Sequence, residues 1–249
     1  MATIRPPSPV LLALEGRAWL ELAALVPALP LLGRAPVGDG HPVLVLPGWL
    51  ASDRSTQVLR WFLRDRGYHV HGWKLGWNSG PSGALRTALV ERFTALRQRH
   101  GRRVSLIGWS LGGIYARELA RRFPGDIRQV ITLASPFRDP SATSVGRFFR
   151  ARGDGSPPRQ LAGALAVPST SVYSRSDGIV AWRSCLEESG PLRESIEVRS
   201  SHCGMGHHPA VLLVIADRLA QPEGAWRPFE ARGWGLRQFV GDPGNAYTP

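Results

Sequence analysis

The segment Gly108-Trp109-Ser110-Leu111-Gly112-Gly113 constrains the fold more than any other stretch of the 249-residue chain. An apolar run, Val104-Ser105-Leu106-Ile107, leads straight into it, and a helix-forming run, Ile114-Tyr115-Ala116-Arg117-Glu118-Leu119, leads straight out. A strand that turns into a helix within so few residues holds the serine at a strained φ/ψ, and glycines two residues to either side relieve the clash. The hydroxyl then stands exposed above the sheet, over the positive end of a helix dipole that favours developing negative charge. In a chain with 28 glycines the bare pattern is weak, but between that strand and that helix it is strong. The competing reading is a glycine-padded turn with an idle serine.

The flanking pattern extends in both directions. Short apolar runs predict strands at Pro42–Leu46, Tyr68–Leu75, Val104–Trp109, Gln129–Leu133, Ser169–Tyr173 and Ser195–Val198. Between them, a helix capped by Ser52 or Asp53 runs to Arg66, and Gly67 stops it. Arg86–His100, with Leu85, Leu89, Phe93 and Leu96 at helical spacing, ends at Gly101. Leu111–Phe123 and Pro209–Leu219 complete the helices. This alternation predicts one α/β domain with an open, mainly parallel sheet, helices on both faces, and a site at the carboxyl ends of the strands. The domain spans 39–222, after an N-terminal apolar extension (1–38) and before a C-terminal tail (223–249). Residues 138–167 carry no firm periodicity. They follow the Gln129–Leu133 strand and read as a lid or cap, with Phe148 and Phe149 on it.

A serine hydroxyl needs a base at neutral pH. When the nucleophile sits on such a turn, an acid and then a histidine follow it along the chain. His202 stands directly after the Ser195–Val198 strand, whereas His207 and His208 adjoin Pro209 and read as caps of the last helix. Asp177, in Ser176-Asp177-Gly178 after the Ser169–Tyr173 strand, is the candidate acid, with Asp139 in reserve; an Asp-Gly turn without a partner is the bland alternative. Two backbone amides must face the developing oxyanion. Leu111 supplies one, and the Pro47-Gly48-Trp49-Leu50 loop the other, with Trp49 preferred over Leu50. Leu50, Trp109, Phe148 and Phe149 are expected to line the pocket. Trp49, Trp73, Trp77 and Trp109 flank predicted strand ends, where they suit an apolar acyl chain or simply fill the core.

These segments together resemble the α/β-hydrolase superfamily, within it the compact lipase and esterase branch, from about Val43 to Leu219. The resemblance implies a sheet of about six strands and a serine hydrolase that cleaves carboxylic esters through an acyl-enzyme. Ser110 would act as nucleophile, His202 as base and Asp177 as its orienting acid. An acyltransferase with the same residues, or a binding module on the same fold, are the other readings. Some members of that branch have a disulfide near the acid and histidine loops, which the resemblance extends to Cys185 and Cys203. From composition alone, two cysteines read as reduced thiols.

The net charge of +12 comes almost entirely from arginines spread along the chain. With no basic arm or recognition helix, that spread argues against a nucleic-acid partner and allows attraction to anionic lipid or acidic substrates. No metal-ligand spacing, phosphate loop or dinucleotide fingerprint is present, so no cofactor and no metal are expected. Pro9–Leu25 reads as one apolar helix, packed on the domain or lying on a membrane surface, with Pro27 and Pro30 ending the apolar run. The expected location is cytoplasmic, with or without membrane association. The expected partner is a small-molecule or lipid acyl ester; oligomeric state has no signature in the sequence.

Overall fold

The computed structural model of the protein describes residues 4–144 and 161–231. Six strands form a single sheet: β1 (Pro42–Leu46), β2 (His69–Gly72), β3 (Val104–Trp109), β4 (Ile127–Leu133), β5 (Ser169–Tyr173) and β6 (Arg193–Glu197). Their order is β2-β1-β3-β4-β5-β6 and every pairing is parallel. All six carboxyl ends therefore lie on one edge, and β1 and β3 meet near its middle.

Apolar side chains alternate across this sheet as a two-residue period requires. Val43, Val45, Ile107, Ile131 and Val172 face one core, shared with α4 (Gln57–Asp65) and α7 (Pro209–Ala220). Leu44, Leu46, Val104, Leu106 and Val130 face the other, shared with α5 (Gly83–His100) and α6 (Leu111–Arg122). Both sides of β1, β3 and β4 are thus buried, which explains why those strands read as unbroken apolar runs. Helix α5 is bounded as its sequence suggests. The Ser82 hydroxyl accepts the Leu85 N–H, and Gly101 closes the helix at a left-handed φ of 61°. His208 caps α7 by accepting the Ala210 N–H, with Pro209 in the first turn.

Several elements differ from expectation: β2 is His69–Gly72 rather than Tyr68–Leu75, and β6 is Arg193–Glu197 rather than Ser195–Val198. Helix α4 starts at Gln57, rather than directly after Ser52 or Asp53, behind Thr56, whose hydroxyl caps no helix N–H but donates to Asp53 O (3.2 Å). The Asp53 carboxylate instead accepts the Trp73 and Lys74 N–H groups (3.0 and 3.1 Å), tying this loop to the end of β2. The N-terminal extension is not one helix over Pro9–Leu25. It comprises α1 (Pro9–Ala13), a 3₁₀ turn (Leu14–Arg17), α2 (Ala18–Ala23) and α3 (Leu25–Leu32). Pro27 falls in the first turn of α3, where its missing N–H has no intrahelical acceptor; Pro30 lies inside the helix, which nonetheless runs to Leu32. Leu25, Ala28, Leu31 and Leu32 pack on the core shared with α7.

Phe148 and Phe149, and most of the segment assigned to the lid, lie outside the described residues. So does the end of the tail. Its beginning packs on the domain: Phe229 is buried and its N–H donates to the Glu194 carboxylate (2.7 Å).

Leu106 is fully buried between β3 and the α5–α6 layer. Leu106→Ala should cost about 2–5 kcal/mol through lost transfer energy and an incompletely closed cavity. Urea unfolding should give a lower midpoint at unchanged slope, and an unchanged midpoint would place the side chain outside the core.

Candidate active site

Ser110 is the hinge between β3 and α6, and its backbone sits at φ 53°, ψ −120°. Such a conformation persists only where its surroundings over-determine it. Here the Ser110 N–H donates to Leu133 O (2.8 Å), and its carbonyl accepts from the Gly113 N–H (3.0 Å) and the Ser135 hydroxyl (2.7 Å). A Cβ on Gly108 would strike the backbone of Gly112 and Gly113, and one on Gly112 would strike the backbone of Leu46. Only glycine allows this crossing of β1, β3 and α6. A Cβ on Gly48 would come within 3.2 Å of the Ser110 Cβ, so the loop after β1 also lies directly against the serine.

His202 and Asp177 reach the same edge from the loops after β6 and β5. The His202 Nδ1 lies 2.8 Å from Asp177 Oδ2, and both side chains are buried. The other Asp177 oxygen accepts the N–H groups of Ile179 (2.8 Å) and Val180 (2.7 Å). That arrangement fixes the carboxylate and assigns the Nδ1–H tautomer, leaving Nε2 with a lone pair. Burial alone would push the imidazole pKa down. The charge and hydrogen bond of Asp177, with the charge of Glu15, outweigh burial and raise it. Trp109 braces the loop by donating its indole N–H to His202 O (3.2 Å).

Ser110 and His202 face a common cavity of about 260 Å³. Trp49, Trp109, Leu111, Ile114, Ile179 and Val180 make its wall largely apolar; Pro136, just before the 138–167 segment, and Pro140 and Thr143 at its start also line it. Leu111 is the first residue of α6, so its N–H has no intrahelical acceptor and lies at the positive end of the helix dipole. Leu50 departs from expectation twice. Its N–H already donates to Asn78 O (2.8 Å), and its side chain is 51% exposed, so it serves as neither amide donor nor pocket wall. Asn78, which sequence reasoning missed, is fully buried and holds the Gly48–Leu50 loop by donating to Pro47 O (3.0 Å). A lone asparagine in a loop gives no pattern by which to find it. Of the four tryptophans, Trp49 and Trp109 line the cavity, Trp73 is a core residue and Trp77 is exposed.

Cys185 and Cys203 are free thiols, so the bridge extended from the resemblance is absent. Cys185 is buried beside Tyr173, Val180 and Leu186. Cys203 adjoins the cavity, where burial and the neighbouring Glu15 carboxylate push its thiol up to about 12, so it is a poor nucleophile at neutral pH. Asp139 is likewise occupied, accepting the Ser141 N–H and hydroxyl in a local turn.

A second Ser–His–Asp array tests whether geometry alone marks a site. His41 lies 2.8 Å from the Ser105 hydroxyl and 2.5 Å from Asp39. Ser105 and His41 are completely buried, and Arg128 and Arg102 also bind Asp39. Burial, offset only in part by Asp39, takes the His41 imidazole down to about 4. The array clamps the start of β1 to β3; it is the opposite of the His202 site, where the imidazole is raised and faces a cavity.

The model of the alpha/beta hydrolase family matches residues 43–244, and the chain belongs to that family. It is 30% identical over 99 residues to the pimeloyl-[acyl-carrier protein] methyl ester esterase of Shewanella woodyi, a match covering 40% of this chain and only 38% of that relative. Among solved structures, it is similar to a metagenome-derived lipolytic enzyme (TM-score 0.55, 17% identity, 74% of this chain and 93% of the other). It is also similar to a pyrethroid hydrolase of Sphingobium faniae (TM-score 0.53, 18% identity, 74% and 98%). At these identities the solved structures establish the shared fold.

Asp177→Asn should lower the His202 imidazole pKa, because the larger of the two charges that raise it is removed. Nuclear magnetic resonance titration of the imidazole reads this directly, and an unmoved titration would exclude Asp177 as the controlling partner.

Proposed function

We propose that the protein is a serine hydrolase that cleaves carboxylic esters through an acyl-enzyme intermediate. The observation that carries this reading is Ser110, held at positive φ over the start of α6, sharing a cavity wall with a histidine whose far nitrogen is engaged by a buried carboxylate. Ser110 Oγ attacks the ester carbonyl while His202 Nε2 takes its proton. Asp177 holds the ring and stabilises the imidazolium that forms. The oxyanion forms against the amides of Leu111 and Trp49, the first backed by the α6 dipole. His202 returns the proton to the departing alcohol, then activates the water that releases the acid and restores Ser110. The apolar wall supports an apolar acyl group as the part of the substrate that is bound. The methyl ester esterase and lipolytic enzymes among the similar proteins support an ester as the bond attacked.

A lipid surface is the second partner in this reading. Among the described residues no helix is long and apolar enough to cross a membrane. The N-terminal segment nonetheless turns Val10, Trp19, Leu20 and Val26 outward, with Trp19 76% exposed. A net charge of +12 adds attraction to anionic headgroups. Sedimentation with anionic vesicles should be strong for the parent and weak for Trp19→Ser/Leu20→Ser; equal sedimentation of the two would remove this face as the contact.

The enzymatic reading is tested with a fluorescent fluorophosphonate and an ester chain-length series. The parent should label, Ser110→Ala should not, and Asp177→Asn should lose about ten-thousandfold in kcat. Ser105→Ala, on the buried array, should retain full activity. Absence of labelling in folded parent, with and without lipid, would overturn the proposal. An added alcohol acceptor in the same assay would reveal acyl transfer in place of hydrolysis.

A further inference from the structure

The two loops that carry Asp177 and His202 are held from outside the sheet by the first helical residues of the chain. Glu15 lies on the 3₁₀ turn Leu14–Arg17 and is only 9% exposed. One of its carboxylate oxygens accepts the N–H groups of Gly178 (2.8 Å) and His202 (3.0 Å), and the other accepts that of Cys203 (2.9 Å). Six residues on, one Glu21 oxygen accepts the Ser201 N–H (2.8 Å), and the other accepts the hydroxyls of Ser201 (2.6 Å) and Ser200 (3.2 Å). Arg17, between them, donates to the Ser176 carbonyl (2.7 Å) and hydroxyl (2.9 Å) and pairs with Glu21 (3.3 Å). The fit is close at the backbone as well. A Cβ on Gly178 would meet the Leu11 main chain, and one on Gly204 would meet the Glu21 carboxylate.

We propose that Glu15 is a positioning residue for the His202–Asp177 pair, and that the N-terminal segment is thereby a working part of the active site rather than an appendage. This rests on the reading of His202 as the base. Three backbone amides from two loops converge on one carboxylate, so the loops after β5 and β6 cannot shift relative to each other without breaking charge-assisted bonds. A neutral amide offers one acceptor oxygen where Glu15 uses two, so a carboxylate serves all three N–H groups and brings a charge besides. A carboxylate here also sets a fixed negative charge near the histidine, which acts with Asp177 to raise the imidazole pKa. That charge counts most when the imidazolium forms.

The electrostatics agree with this role. Burial raises the Glu15 pKa, but the Cys203, His202 and Gly178 amides and the charge of His202 outweigh it, so the carboxyl is held below its usual range and stays ionised at neutral pH. Around His202 the other titratable and charged groups are Asp177 on its own layer, Cys203 beside it, and Glu21, Arg17, His207 and His208 at the segment's interface. Removing the Glu15 charge therefore lowers the His202 pKa. Because the base must be unprotonated, the acidic limb of kcat/KM moves to lower pH.

The decisive comparison is full-length parent, Glu15→Gln and Glu15→Asp, each assayed for ester hydrolysis across pH. Glu15→Gln should lower kcat about ten- to a hundredfold with KM nearly unchanged, since Glu15 does not line the cavity. Its acidic limb should move down in pH. Glu15→Asp keeps the charge but withdraws it from the three amides; it should lower kcat while leaving the limb near the parent's. In the Ser110→Ala background, resonance titration of His202 with and without Glu15→Gln gives the same answer with no substrate at all. This keeps failure of the inference separate from failure of the hydrolase reading. A Glu15→Gln protein with lower melting temperature but parental limb and parental imidazole titration would reduce Glu15 to a clip. If Glu15→Gln does not fold, Glu15→Asp decides: parental kcat overturns the proposal, and reduced kcat with the limb in place supports it.

Discussion

The crossing of backbone on backbone at Gly108, Gly112 and Gly113 fixes what everything else must satisfy. With no side chain at these positions, α6 leaves β3 so abruptly that Ser110 is forced to φ 53°. The turn is held by the Leu133 carbonyl from β4 and the Ser135 hydroxyl beyond it. Strain at one residue is thus distributed over three neighbouring strands, each buried on both faces. Because all six strands are parallel, the loops from β1, β5 and β6 open on the same edge as that serine. The candidate site is a consequence of sheet direction combined with one tight turn.

Within that frame, electrostatic surroundings separate two similar sets of groups. His41 and His202 both contact an aspartate, and both are buried. Around His41 the burial penalty prevails and two nearby arginines oppose a positive ring, so it stays neutral and serves as a hydrogen-bonded rivet. Around His202 the charges of two carboxylates, Asp177 and Glu15, outweigh burial, and the balance reverses. With an aspartate beside each ring, the balance between burial and the further charges decides which imidazole is raised and which is lowered.

How much of this is legible in the sequence depends on how far each interaction reaches. The elbow, the strands and the helix stops are local, and their spacing gives six strands along the chain with Ser110 at the turn after the third, though not the order in which they lie in the sheet. His202 and Asp177 are legible one step less directly, as polar residues just past predicted strands. Asn78 and Glu15 leave no such trace. Glu15 reaches partners 163 to 188 positions away, through backbone N–H groups that are present in every residue and mark nothing in the sequence. An interrupting glutamate in an apolar segment reads as a blemish in amphipathicity, when it is the group the segment exists to deliver. The two cysteines mislead for the converse reason: their positions near both loops suggest a brace, whereas the loops are braced by carboxylate-to-amide bonds.

Long reach has a consequence for assembly. The sheet, the Ser110 turn and most of both cores are built from Pro42 onward, in largely consecutive strand–helix units, with Leu32 and Ala35 the earlier members of one core. The two loops beyond β5 and β6 receive part of their hydrogen bonding only when residues 11–21 return across the finished domain. Until then six amide or hydroxyl donors on those loops lack their Glu15 and Glu21 acceptors, and the imidazole lacks one of its two negative neighbours. Docking the segment is therefore a step that completes the hydrogen bonding of both loops at once. The apolar face that the same segment turns outward gives that step a handle on its surroundings, since any surface that holds Trp19 and Leu20 also bears on the backbone that holds His202.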